Sequence, residues 1–261
     1  MFFRFDHLVH FTKNPEEAAQ IMIKHGFHAV KGGHHESWGT YNSLCHFGLP
    51  YIEFLGLEDL TVAQKVTHNT LISQVVDEFE QGEGFLRLAI RTDNIEEAAR
   101  HFSSLGLHTI GPVEGERRRE DGTLLKWAML FIEEPGARDP YNYPFIIDWK
   151  VSDEGRATAL QDLGLIAPHS QTQLTEIGIG TRDPHETLTN WSRLFHLTQP
   201  DQTLTHPLDD HAKAFTAQLG EVTIVFHSSN RDLTRPSFLK LAPALPAGKQ
   251  EIMGGHYVFT I

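Results

Sequence analysis

Apolar and polar positions alternate along residues 5–11 with the period of a β-strand. Phe5, His7, Val9 and Phe11 fall on one face, and Asp6, Leu8 and His10 on the other. His7 therefore stands among apolar neighbours on a face predicted to be buried. The period then changes. Asn14 is placed to cap a helix, Pro15 takes the first helical position, and Glu16 and Glu17 complement the dipole of the first turn. Ala18, Ile21 and Met22 form a stripe at helical spacing, and Gly26 ends it. Strands are predicted over 27–31, 41–47 and 51–56, with a glycine-rich loop over 32–42. The order is β-α-β-β-β within sixty residues. Leu71, Ile72, Val75, Val76 and Phe79 then return to helical spacing and predict a linking helix within 61–83.

The first pattern recurs at an offset of 80. Thr12, Asn14, Glu16, Glu17, Ala18, Ala19, Gly26 and His28 meet identical residues at 92, 94, 96–99, 106 and 108, which is eight of seventeen positions without a gap. A match of that density marks an internal repeat. Later the offset grows to 94, where Pro50 meets Pro144 and Ile52 meets Ile146. Asp121-Gly122 is a hairpin signal between two strands of this second copy. A weaker copy starts near Leu174, with Asp183-Pro184 repeating the cap and proline. The predicted organisation is a β-α-β-β-β module over 1–60, a linking helix over 61–83, a second module over 84–151, a linker over 152–173 and a degenerate third module over 174–261. The fold class is α/β (α+β), with the first two modules forming a cup-shaped half-barrel.

Composition narrows the partners. The formal net charge is −12, and the one basic cluster, Arg117-Arg118-Arg119, is flanked by Glu116, Glu120 and Asp121, so no nucleic-acid footprint is present. The sequence has no apolar run long enough to span a bilayer, and no membrane partner is expected. Cys45 is the only cysteine, which removes internal disulfides and fits a cytoplasmic location. A monomer or homodimer is expected, acting on or binding a small polar or anionic molecule in the cup between the first two modules.

The candidate chemistry lies in the cup. Glu53 alternates with Tyr51 and Leu55 on the fourth strand as His7 does on the first, so both are polar groups on apolar faces. A neutral imidazole and a carboxylate suit a divalent metal; they equally suit a plain hydrogen bond between two half-buried groups. The repeat places Arg87 opposite His7, and an arginine holds a carboxylate or phosphate rather than a metal. His34, His35, Trp38, Thr40 and Asn42 in the loop over 32–42 are candidate ligand contacts, as are Arg117 and Arg119 before the turn. Trp127 and Trp149 are placed to wall a cavity.

Phe5-Asp6-His7-Leu8-Val9, the repeated β-α-β-β-β order and Tyr51-Ile52-Glu53-Phe54 resemble the vicinal oxygen chelate superfamily, which includes glyoxalases, bleomycin-resistance proteins and extradiol dioxygenases. Gly33-His34-His35, Trp38-Gly39-Thr40-Tyr41-Asn42, Asp121-Gly122 with Trp127, and Pro144-Phe145-Ile146 are similar to its bacterial glyoxalase-like branch. The resemblance implies a metal (zinc, manganese, nickel or iron) held by residues of strands one and four in both modules. His7 and Glu53 match the first pair; Arg87 and Ile147 stand where the second pair would be. Two readings follow. One is an enzyme of lyase, isomerase or dioxygenase-like chemistry, with His7, Glu53 and Arg87 catalytic. The other is a metal-free protein that sequesters a small molecule.

Overall fold

A computed structural model describes residues 1–118, 122, 124–137, 139–166, 172–198, 204–206, 209–230, 233–244 and 246–261. The first module runs β1 (Arg4–Phe11), α1 (Pro15–Lys24), β2 (Ala29–His35), β3 (Thr40–His46) and β4 (Tyr51–Leu57). The helices α2 (Leu60–Ala63) and α3 (Thr70–Glu78) and a single 3-10 turn (Phe79–Gln81) lead to the second module. That module comprises β5 (Gly84–Arg91), α4 (Ile95–Ser104), β6 (His108–Arg118), β7 (Leu124–Glu133) and β8 (Phe145–Asp148), and α5 (Asp153–Asp162) follows. Capping explains where the first helices start. Asn14 and Asn94 each accept a hydrogen bond from the backbone N–H three residues on, at Glu17 and Glu97.

Each module forms a half-barrel, and the halves join edge to edge. The strand order is β1-β4-β3-β2-β6-β7-β8-β5, and β5 pairs antiparallel with β1 to close the ring. The loop expected over 32–42 is instead a hairpin, because β2 and β3 pair from Ala29↔Cys45 to His35↔Thr40. Glycines at 32 and 33 suggest a loop, yet they serve the sheet. A Cβ at Gly32 would lie 2.0 Å from Asn42 Oδ1, so the bare backbone is what lets that amide turn inward.

The alternation of β1 slips once. Phe5 pairs with Ile90 and His7 with Ala89, so Asp6 is the extra residue of a β-bulge. Phe5 and Leu8 consequently both pack in the outer layer with α1 and α4, while Val9 and Phe11 belong to the barrel interior. The sequence reading put Phe5 on the same face as His7; the bulge separates them.

The remaining chain forms a second sheet from β9 (Gln173–Thr181), α6 (Pro184–Phe195), β10 (Leu204–His206), β11 (Asp209–Leu219), β12 (Val222–Ser228), β13 (Arg235–Ala242), β14 (Gly248–Ile252) and β15 (Gly255–Phe259). Its order is β10-β11-β12-β9-β13-β15-β14. The first four strands repeat the order of the first module. The pairing of β13 antiparallel to β9 and parallel to β15 repeats that of β5 with β1 and β8. A single degenerate third module thus omits a further three-stranded piece, in which no capped helix occurs among the described residues.

One apolar layer joins the two sheets: Phe3, Leu88, Ile90 and Phe102 share it with Leu194, Phe195, Leu239 and Tyr257. His10 crosses the junction, with Nδ1 2.8 Å from the Tyr257 hydroxyl and Nε2 2.9 Å from the Met253 carbonyl oxygen. Gly254 has φ +76°, and a Cβ there would lie 2.0 Å from the Glu83 carbonyl oxygen. Gly254→Ala is expected to cost about 2–3 kcal/mol through backbone strain and the forced shift, read as a lower thermal midpoint.

Candidate active site

The barrel interior encloses a cavity of about 200 Å³. His7 comes from β1, His35 from β2, Thr40, Asn42, Leu44 and His46 from β3, and Tyr51, Glu53 and Leu55 from β4. The second module adds Arg117, Leu125, Trp127, Met129, Phe145 and Ile147, with Trp149 just after β8. The helix α3 contributes Leu71 and Ile72, and α5 contributes Gly155, Arg156, Ala159 and Leu160. Most of this wall is apolar. Several of its polar groups form one connected chain; His46 and the His35–Thr40 pair stand outside it.

The chain starts at Arg156, whose Nη1 donates to Asp6 Oδ2 at 2.8 Å; Trp149 Nε1 donates to the same oxygen at 3.0 Å. Asp6 Oδ1 lies 2.7 Å from His7 Nδ1. His7 Nε2 lies 3.4 Å from Glu53 Oε2. Asn42 Nδ2 donates to Glu53 Oε1 at 2.5 Å, and Asn42 Oδ1 accepts from the Gly33 N–H at 3.1 Å and from Arg117 Nη1 at 2.9 Å. His7 is thus held between two carboxylates, and each carboxylate is tied to an arginine, Glu53 through Asn42.

Burial opposes charge at all three central groups, and their mutual contacts overcome it. Burial alone would raise Asp6, but the Arg156 guanidinium and then the His7 hydrogen bond hold its carboxyl far below the usual carboxylate range. Burial alone would lower His7, but the Asp6 hydrogen bond and the Glu53 contact raise it above its ordinary value. Glu53 is pulled down to about 2 by His7, against its own desolvation. Asp6 can only accept, so His7 donates from Nδ1 and turns Nε2 toward a second carboxylate. That 3.4 Å contact pairs the charged imidazole with the carboxylate.

His35 differs. Its Nδ1 lies 3.0 Å from Thr40 Oγ1, its ring packs against Trp38 and Trp127, and burial lowers it to about 4. It is a neutral imidazole at neutral pH.

The residues singled out from the sequence divide clearly. His7, His35, Trp38, Thr40, Asn42, Glu53, Arg117, Trp127 and Trp149 converge on the cavity. His34 does not. It bonds Glu58 through Nδ1 at 2.9 Å and stacks on Tyr41, with its side chain half exposed. Arg87 does not line the cavity either. Its guanidinium donates to Thr70 Oγ1 at 2.9 Å and to the Pro140 carbonyl at 3.5 Å, and lies over the rings of Phe131 and Tyr141. Arg119 lies outside the described residues. Sequence reasoning missed Asp6, His46 and Arg156 as members of the site. A carboxylate inside an apolar strand was a usable signal for Asp6; Arg156 reaches the site from a separate helix and carries none.

The donor set does not fit a metal centre. The bonds of His7 Nδ1 to Asp6 and of Asn42 to Glu53 Oε1 leave only His7 Nε2 and Glu53 Oε2 as donors from the matching pair of the first module, two where a metal needs at least three. Arg87 and Ile147 occupy the equivalent positions of the second module. Of the further residues that could supply a third ligand, His10 is engaged with Tyr257 and Met253, His34 with Glu58, and Asp148 with Lys150, while His35 faces the cavity with Nδ1 on Thr40. Among the described residues no group of three or more histidine, cysteine, aspartate or glutamate side chains is placed to hold an ion.

Comparison with known proteins supplies the family. A family model described as a glyoxalase-like domain matches residues 5–195. The chain belongs to the glyoxalase-like domain family. Its fold is that of the vicinal oxygen chelate superfamily. The glyoxalase-like chain is similar over 99% of its length to 99% of a hypothetical protein from Staphylococcus aureus, with a TM-score of 0.82 and 22% identity. It is also similar to a triple variant of 4-hydroxymandelate synthase from Streptomyces coelicolor. That match covers 91% of this chain and 70% of the other, with a TM-score of 0.53 and 9% identity. These likenesses are of fold. Curated proteins give no significant sequence match. Among the described residues no helix is long and apolar enough to cross a membrane.

Proposed function

We propose that this glyoxalase-like protein binds a small, largely apolar molecule with a short polar head and moves a proton at the carbon beside the head's carbonyl. The observation that carries this is the contact of His7 Nε2 with Glu53 Oε2 at the cavity wall. A cavity of about 150 Å³ lined by apolar side chains accepts benzene. One of about 200 Å³ walled by Trp38, Trp127 and Trp149 holds a ring and a short head.

The roles follow from the shifts. Glu53 owes its lowered pKa chiefly to His7, and His7 owes its raised one to Asp6 first and Glu53 next. A carbonyl group entering between them weakens that contact, so Glu53 becomes more basic and His7 more acidic. Glu53 then takes the proton from carbon, and charged His7 keeps its proton and donates a hydrogen bond from Nε2 to the oxygen that becomes the enolate. Asp6 holds the imidazole in orientation. Arg156, Arg117 and His7 in its charged form outnumber the two carboxylates by one, which favours the enolate that forms. This reading requires no metal.

Benzylacetone tests it. In D₂O the protein is expected to catalyse deuterium entry beside the carbonyl, read by NMR. Glu53→Gln is expected to slow that exchange by about 10²–10⁴-fold while the ketone still binds. Binding without exchange in the parent protein would instead favour sequestration, and equal exchange in the variant would remove Glu53 from the mechanism.

A further inference from the structure

His227 stands on β12 and Ser237 on β13, with β9 between them. Their side chains nevertheless meet, with His227 Nε2 2.6 Å from Ser237 Oγ. The intervening strand permits this. On that face β9 carries Gly178 and Gly180, while Ile177 and Ile179 pack into the layer shared with the barrel. A Cβ at Gly178 would lie 2.7 Å from Ser237 Oγ, and one at Gly180 would lie 3.5 Å from His227 Cε1. Ser237 is also the extra residue of a β-bulge, since Pro236 pairs with Ile179 and Phe238 with Gly178. Bulges recur beside active sites, where they re-aim a side chain. The other ring nitrogen sets the direction of the hydrogen bond. His227 Nδ1 lies 3.1 Å from the Ser228 carbonyl oxygen, which can only accept. Burial holds the ring below its ordinary pKa, so at neutral pH it is uncharged and carries its one proton on Nδ1. Nε2 is then the acceptor, and the Ser237 hydroxyl donates to it.

We propose that Ser237 and His227 form a second active site, on the second sheet, which hydrolyses small polar carboxylic esters. A serine hydroxyl on a neutral imidazole, with the far nitrogen fixed by a third group, is the arrangement that activates a nucleophile. A pair kept only for packing needs no open side, and this one has it. Ser237 lines a cavity of about 480 Å³ where the start of β5 meets β13, and His227, 9% exposed, stands behind it. Glu83, Arg235 and His256 on the same wall suit a polar substrate. The site shares no residue with the barrel cavity. In the first step Ser237 Oγ bonds to the ester carbonyl carbon as its proton passes to His227 Nε2. The bond from that carbon to the alkoxy oxygen then breaks, and the leaving oxygen takes the proton from His227. Water repeats the sequence on the acyl-serine, giving the free acid and restoring Ser237.

The probe is 4-nitrophenyl acetate, whose leaving group is read by absorbance. The full chain is expected to release 4-nitrophenolate in a burst, and peptide mapping of briefly exposed protein to find the acetyl group on Ser237 ahead of other side chains. Ser237→Ala, which removes one oxygen, is expected to lose the burst. His227→Gln is expected to slow acetylation of Ser237 by about 10²–10⁴-fold, the range of a lost general base. A parallel measurement needs no variant. Phenylmethylsulfonyl fluoride transfers its sulfonyl group to an activated serine with loss of fluoride, and it is expected to label Ser237 and to abolish the burst. An undiminished burst in Ser237→Ala, acetyl and sulfonyl groups found only on other residues, or an unchanged acetylation rate in a folded His227→Gln would each overturn the proposal.

Discussion

Asp6→Ala is expected to destabilise the protein by about 3–5 kcal/mol, the cost of removing one partner from a buried ion pair. Asp6 is fully buried, and its two oxygens serve three donors: Arg156 Nη1, Trp149 Nε1 and His7 Nδ1. Alanine leaves a guanidinium that is 8% exposed facing no charge, and an imidazole that has lost the group orienting it. The measurement is urea unfolding, where the midpoint should fall with little change of slope. Asp6→Leu combined with Arg156→Met should recover much of the loss, because an apolar pair of similar bulk carries no stranded charge. A cost below about 1 kcal/mol for Asp6→Ala would mean that water reaches Arg156 and that the ion pair is effectively solvated.

Acid is expected to unfold the protein between about pH 6 and pH 4, before most carboxylates protonate. His10 and His35 are lowered to about 4 and His46 to about 3, in each case first by burial. The unfolded chain titrates its histidines near 6.5. Between these values the unfolded state binds more protons than the folded one, so stability falls as pH falls. One such group, shifted from 6.5 to about 4, is worth roughly 3 kcal/mol. Three together approach the whole net stability of a typical domain, about 5–15 kcal/mol. His7 acts in the opposite sense. Its raised pKa gives stability that is complete below 6.5 and is lost as pH rises through the folded value. Asp6 and Glu53 contribute above their ordinary carboxylate range and lose that contribution only toward pH 2. The check is the thermal midpoint as a function of pH, with near-ultraviolet circular dichroism. A midpoint flat down to pH 4 would show that these imidazoles accept protons in the folded state. Protonated His10 could no longer accept from the Tyr257 hydroxyl, so the junction between the two sheets should yield first.

The parts of the fold that were legible in sequence are those written locally. Asn14, Asn94 and Asp183 announce three helices by caps that the side chains do make. The offset-80 repeat carries the module order. His7 and Glu53 were legible as partners because strand alternation places each among apolar neighbours. Long-range placement was not legible. Arg156 reaches Asp6 across 150 positions of chain. Arg87 has the repeat position of His7, yet its longer side chain finds Thr70 on the linking helix α3 instead of the cavity. His46 shows no signal by itself, since only the closed barrel brings it to the cavity wall. The strands β13, β14 and β15 escaped notice as a further partial module because no capped helix introduces them among the described residues.

The bulge at Asp6 acts as a phase marker for the first strand. A strand carries a binary message, inward or outward, and one extra residue inverts everything on one side of it. Phe5 and Leu8, three apart, both face the helices only because Asp6 absorbs the odd step. Excising that single residue would set the two ends of the strand in conflict. Either Phe5 would swing into the cavity, or His7 would leave it for the apolar layer under α1. The imidazole's place beside Glu53 is therefore encoded less by the identity of residue 7 than by the count of residues before it. Length changes upstream of Leu8 should be tolerated far less than substitutions there.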